Sequence, residues 1–232
     1  MNKKLLLIPI IVGSVAVSSL ATFFITRNVM QKKQQELLYA AYQMHYQDRI
    51  NLFKEENKHA SDIDVVFLGD SLTELYDVET SYPEYKVLNR GIGADTTFGV
   101  EKRLKESVYD ANPKITAMLI GANNFDTMLD NYENILVSFK ENAPEMKVIL
   151  LSLTSMTKDW GRNNNKAKKN NEAIKEYATK YSYTYIDLYN PLLDESTNEL
   201  NLAYTTDGGH LTAQGYEVVT AQIKPVIASL LN

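Results

Sequence analysis

Apolar residues change their spacing along this chain, and each spacing predicts a different element. Residues 5–26 form a run of 22 without a charged side chain. As a helix it would be about 33 Å long, enough to cross a hydrocarbon core. From 31 to 57 the spacing is helical. Leu38, Ala41, Tyr42, His45 and Tyr46 fall on one face, Ile50 and Phe53 extend it, and Gln, Lys and Glu fill the other. That predicts a stalk helix packing on whatever follows. From residue 61 short continuous apolar runs take over, at 63–68, 86–88, 115–120, 148–153 and 183–188. Such runs suit strands buried on both faces, as in a parallel sheet.

Helical patterns separate these runs. Val100, Leu104 and Val108 form the first; Leu129, Tyr132, Leu136 and Phe139 the second. Ala167, Ile174, Tyr177, Ala178 and Tyr181 form the third; Val219, Ile223, Val226, Ile227 and Leu230 the last. Strands alternating with helices predict right-handed βαβ units, hence a three-layer α/β/α sandwich around a five-stranded parallel sheet. The organisation expected is an N-terminal segment over 1–26, a stalk and linker over 27–60, and one domain over 61–232.

Charge sharpens the N-terminal reading. Lys3 and Lys4 precede the apolar run, and Arg27, Lys32, Lys33 and Glu36 follow it, each group netting +2. A chain of net charge −5 therefore carries −9 on the remainder. The run reads as a signal anchor, with the domain outside the cell. A signal peptide cut near Ser19 and Ala21 is the alternative, although Phe23, Phe24 and Ile25 continue the apolar stretch past that point. The acidic balance argues against nucleic acid as a partner. The absence of Cys excludes disulfides, thiolate metal sites and Cys nucleophiles.

Ligands of parallel α/β sheets bind outside the carboxyl ends of the strands. Gly69-Asp70-Ser71-Leu72-Thr73 follows the first run, and Asn89-Arg90-Gly91-Ile92-Gly93-Ala94-Asp95-Thr96 the second. Gly121-Ala122-Asn123-Asn124 follows the third, and Asp207-Gly208-Gly209-His210-Leu211 lies near the C-terminus. An acyl-transfer site needs such groups: a hydroxyl nucleophile, a base to activate it, a carboxylate to orient the base, and N–H donors for an oxyanion. Each has a blander role when taken alone. Ser71 suits a helix cap, Asn123 a turn, and Asp70 a hydrogen-bonded structural carboxylate. Only three His occur, and of these His45 lies on the stalk stripe and His59 in the polar entry to the domain. That leaves His210 as the one good base.

These four blocks resemble those of the SGNH hydrolases, the GDSL-like esterases and lipases, over about residues 45–232. The resemblance implies a flavodoxin-like fold and a serine esterase without cofactor or metal. It implies Ser71 as nucleophile, His210 as base and Asp207 as its orienting partner. The oxyanion would be held by the N–H of Ser71, the N–H of residue 94 and the amide of Asn123. Two positions depart from the family pattern. Ala94 stands where a Gly is usual, which leaves open whether Gly93 shares its role, and Asn124 stands where an Asp is usual. Short segments between blocks and no lid-like insertion point to short acyl groups such as acetyl. Acetylated glycans are the substrate expected, with lipid esters as the runner-up. Trp160 and Tyr76 are candidates to line the pocket, although core packing suits Tyr76 as well. Competing functions are weaker. Gly91-Ile92-Gly93 begins a dinucleotide fingerprint, but Thr96 replaces its third Gly. A non-catalytic surface protein would leave the four blocks unexplained. A metallohydrolase lacks both HExxH and sufficient His.

Overall fold

The computed structural model describes residues 3–161 and 163–232, with backbone alone over 3–21. A long helix, α1 (Lys3–Asn57), opens the chain, which divides into two compact units between His45 and Tyr46. In the first unit Ile25, Met30, Leu37 and Leu38 stand exposed on the helix. Among the described residues no helix is long and apolar enough to cross a membrane. The span expected at 5–26 lies outside the residues described with side chains, except for 22–26.

The second unit begins with the last turns of α1. It continues through β1 (Val65–Gly69), α2 (Ser71–Glu74), α3 (Val78–Ser81), β2 (Val87–Gly91) and α4 (Thr97–Lys102). Then come β3 (Ile115–Leu119), α5 (Leu129–Asn142), β4 (Lys147–Leu151), α6 (Asn164–Tyr181) and β5 (Thr184–Ile186). A two-residue hairpin, β6 (Leu193–Asp194) and β7 (Glu199–Leu200), precedes α7 (Ala213–Leu231). The main sheet is wholly parallel in the order β2-β1-β3-β4-β5, as the apolar runs predict. Its order reverses between β1 and β3, which opens a crevice at their carboxyl ends.

Side-chain alternation builds two cores. Val66, Leu68, Met118, Val148 and Leu150 face α5 and α6, meeting Tyr132, Ile135, Phe139 and Ile174. Val65, Phe67, Ile115, Ala117 and Ile149 face the other way, against Val219, Ile223 and Ile227 of α7. Tyr76 belongs to this second core. It stacks on Tyr216 at 4.8 Å and hydrogen-bonds Tyr82 and Thr220, so it does not line the strand-end pocket.

One predicted helix is broken. Val100, Leu104 and Val108 read as a continuous repeat, but α4 stops at Lys102 and a π-helical turn, Lys105–Tyr109, follows. The break falls at Arg103, whose side chain is drawn into the protein rather than out to solvent. Its guanidinium is 1% exposed and meets Asp95 at 2.8 Å. The last turns of α1 are drawn in too. Ile50 and Phe53 bury with Ile92, and the Phe53 ring lies 4.9, 4.7 and 5.9 Å from the guanidinium carbons of Arg49, Arg90 and Arg103. Arg90, fully buried, donates to Glu56 and to Asn57 Oδ1.

Helix α2 starts on Asp70, whose Oδ1 accepts from the Leu72 N–H at 3.1 Å. The cap role available to Ser71 is thus taken by the residue before it. Asp70 is 2% exposed. Burial pushes its carboxyl up to about 7 and nearby Asp95 adds to this, against the Leu72 N–H, His210 and Arg103. A carboxyl whose folded pKa lies above its unfolded one lowers stability as pH rises from about 4 to about 7. Asp70→Asn keeps an acceptor for Leu72 and removes the charge. Its urea midpoint should therefore gain on the wild type between about pH 5 and pH 8; a constant difference over that range would show that ionising Asp70 costs nothing.

Candidate active site

The strand-end blocks converge in the crevice. Ser71 leaves β1 at the start of α2, and its Oγ lies 2.9 Å from His210 Nε2. His210 Nδ1 lies 2.7 Å from Asp207 Oδ2. The last pair is built locally. Asp207 Oδ1 accepts from the N–H groups of Gly209 at 3.0 Å and His210 at 2.8 Å, an Asx turn that folds the carboxylate back onto the imidazole three residues on. Thr205 clamps the same turn, donating to the His210 carbonyl and accepting from the Gly208 N–H. The Asp207 side chain is 42% exposed. What burial it has raises its pKa, but the Gly209 N–H, the imidazole and the His210 N–H outweigh this and bring the carboxyl down to about 2. It is therefore ionised at neutral pH.

Trp160 stands edge-on to the imidazole, with ring centres 4.9 Å apart. Gly209 makes room for it: a Cβ there would sit 2.3 Å from the indole. Ser71, Asn123, Met156, Trp160 and His210 line a cavity of about 20 Å³, roughly the space of one water molecule. Trp160 thus stands at the site, as the sequence suggested. His45 and His59 are exposed elsewhere in the sequence. Among the described residues no group of three or more His, Cys, Asp or Glu could hold a metal.

Asn123 enters from the end of β3. Its Nδ2 donates to the Asp95 carbonyl at 2.9 Å, fixing the amide against the loop after β2. In that loop Ala94 has φ +61°, the left-handed region that a Gly would enter without strain. The Gly93 N–H donates to Glu74 Oε2 at 2.5 Å. Asn124 ties the third block to α4: its Nδ2 donates to Thr97 Oγ1 at 2.9 Å and its Oδ1 accepts from the Thr97 N–H at 3.3 Å.

Sequence reasoning passed over the groups beneath this loop. Asn89 donates to the carbonyls of Thr73 and Tyr76 and accepts from the Gly91 N–H, holding α2 against β2. Arg103 donates to Asp95, Arg90 and Ser107, and at 2.8 Å to the carbonyl of Gly69. A signal was present in the pattern, since Arg103 lies three residues after Val100 on an otherwise apolar face.

A second cavity shares Asn123 and runs outward. It holds about 410 Å³ and is lined by Asn124, Asp126, Thr127, Asn163 and Lys166 among others. A larger cleft, near Pro113, Pro144 and Leu230, opens at the amino ends of β3 and β4, away from Ser71.

The family model described as GDSL-like Lipase/Acylhydrolase family matches residues 67–218. A Streptococcus pneumoniae structure, provisionally described as a platelet activating factor, is 24% identical with a TM-score of 0.77, covering 83% of this chain and 97% of its own. A GDSL-like lipase from Bacteroides thetaiotaomicron is 25% identical with a TM-score of 0.69, over 78% of this chain and 97% of that one. A mutant acetyl-xylooligosaccharide esterase from Geobacillus shares the fold at 18% identity and a TM-score of 0.59, over 72% and 95%. Among curated proteins none matches the chain. The matched stretch takes in β1 to β7 and reaches into α7, so the chain belongs to the GDSL-like lipase/acylhydrolase family and is a carboxylic ester hydrolase.

Proposed function

We propose that the chain is a serine esterase for short-acyl esters, acetyl above all, carried on sugars. The observation that supports it most is the hydrogen-bonded series Ser71–His210–Asp207 opening onto a cavity of about 20 Å³. Ser71 Oγ attacks the acyl carbonyl while neutral His210 takes its proton at Nε2. Ionised Asp207 holds Nδ1–H toward itself and stabilises the imidazolium. The tetrahedral oxyanion is held by the N–H groups of Ser71 and Ala94 and by the Asn123 amide. Gly93 is the weaker candidate, because its N–H is engaged by Glu74. His210 then protonates the leaving alcohol, and water repeats the sequence to release the acid and free Ser71.

The small cavity leaves no room for a long acyl chain, which favours acetyl. The adjoining cavity of about 410 Å³, rich in amides and carrying the Asp126–Lys166 ion pair, suits a polar alcohol such as a sugar better than a lipid. The Geobacillus structure is named for an acetylated xylooligosaccharide, an instance of that chemistry on this fold. The apolar run at 5–26 and its basic flanks support a domain held outside the cell by a membrane anchor, or released there by cleavage.

Ser71→Ala should lower kcat on p-nitrophenyl acetate by at least about 10⁴-fold, and Asn123→Ala by about 10²–10³-fold. Near-normal turnover by a purified Ser71→Ala protein would remove Ser71 as nucleophile, and a negligible loss in Asn123→Ala would return that residue to a turn role. Across p-nitrophenyl esters of rising chain length, activity should peak at acetyl, and acetylated polysaccharide should be deacetylated. A preference for long chains or phospholipid would overturn the short-acyl sugar reading. Protease added to intact cells should degrade the domain; complete protection until lysis would place it inside.

A further inference from the structure

We propose that Arg49 and Glu74 are positioning residues for the oxyanion hole, with Arg49 acting from a helix outside the stretch that the family model matches. The proposal rests on the reading of Ala94 as an oxyanion donor. The Ala94 N–H can be aimed only if the backbone on both sides of it is fixed, and a left-handed alanine does not hold itself there. A non-Gly residue in that region is strained and persists only where its surroundings impose it.

On the side before Ala94, the imposing groups are a carboxylate and a guanidinium. Glu74, three residues after the nucleophile, takes the Gly93 N–H on Oε2. Its other oxygen, Oε1, lies 3.6 Å from Arg49 Nε. The same Arg49 nitrogen donates to the Gly91 carbonyl at 3.1 Å. Arg49 therefore grips the loop directly at Gly91 and, through Glu74, at Gly93. The grip is itself held: the Arg49 guanidinium lies over the buried Phe53 ring at 4.9 Å, one turn along the helix. Both side chains are only about one fifth exposed, at 19% and 21%, which limits screening by solvent. Gly91 completes the assembly, since a Cβ there would lie 2.1 Å from the Glu74 nitrogen and push α2 off the strand.

Glu74 thus couples the two backbone oxyanion donors. It sits on the helix whose first residue supplies the Ser71 N–H and binds the residue preceding Ala94, so one carboxylate ties these two donors together. Removing it, or the cation that orients it, leaves Ser71, His210 and Asp207 untouched and loosens the geometry that the tetrahedral state alone requires. Interactions made only in that state appear in kcat rather than in KM.

The test uses the full chain and p-nitrophenyl acetate. Wild type is first titrated with a fluorophosphonate, and kcat is expressed per labelled serine so that misfolded protein does not count. Arg49→Ala and Glu74→Gln should each lower kcat by about ten- to a hundredfold, less than loss of a donor outright, with KM within about twofold. The affinity of a tetrahedral analogue such as an arylboronic acid should fall in proportion. Arg49→Lys should recover part of the loss, and the Arg49→Ala/Glu74→Gln double variant should be little worse than either single one. A kcat per labelled serine within about twofold of wild type in both single variants would overturn the proposal. So would a loss of kcat with boronate affinity unchanged. Absence of labelling in the wild type would instead bring down the nucleophile reading, and this proposal with it.

Discussion

A buried ion pair, Arg103 with Asp95, sets the frame of the whole site. Both side chains are out of water, at 1% and 0% exposure. Two charges so placed are tolerable only if each finds the other and the remaining donors find acceptors. Here they do. Nε meets the carboxylate, Nη1 the Arg90 carbonyl and Ser107, and Nη2 the Gly69 carbonyl. Gly69 is the last residue before Asp70 and Ser71. Arg90 lies in the strand that leads to Ala94, and the Asp95 carbonyl receives Asn123. One rigid planar cation therefore fixes the separation of the three strand ends that carry Ser71 and the proposed oxyanion donors. The break after α4 is the local expression of this constraint. A continuous helix would have met the apolar repeat, but Arg103 takes non-helical backbone, φ −112°, as its side chain reaches the carboxylate.

Two carboxyls share this neighbourhood in different surroundings. Asp95 faces a guanidinium. Asp70, directly before Ser71, lies in the same interior with no cation hydrogen-bonded to it among the described residues, and burial raises its pKa to about 7. Asp207 is different again: it is partly exposed, gathers two backbone N–H groups and an imidazole, and is held at about 2. The difference between Asp70 and Asp207 follows from how many donors each meets relative to its desolvation. On this account a surface-accessible Asp, rather than buried Asp70, is the stable anion beside the His210 imidazole.

The sheet was legible because strands buried on both faces leave a plain mark: five apolar runs became five parallel strands, each within a few residues of its run. The site residues were legible because strand ends expose them and only three His exist to choose from. Contacts between distant segments were not legible. The hairpin β6–β7 has two residues per strand, too few for a period to register. Arg49 reads in sequence as one more cation on a polar helix face, and only the fold reveals the Gly91 carbonyl and Glu74 opposite it. The helical stripe beginning at Leu38 is continuous in sequence, yet the compact unit starts at Tyr46, because burial there depends on Ile92 and Arg90, which no local pattern announces. Ala94 marks the reverse case. Its residue type raised a question about backbone conformation that φ +61° answers directly.

The edge-on contact between Trp160 and His210 has a spectroscopic consequence. The chain contains a single tryptophan, so its indole emission has one source, and that source borders the His210 imidazole. A protonated imidazole quenches a neighbouring indole by accepting an electron from its excited state. Fluorescence from this protein is therefore an optical record, without a label, of what happens at one side chain of the crevice.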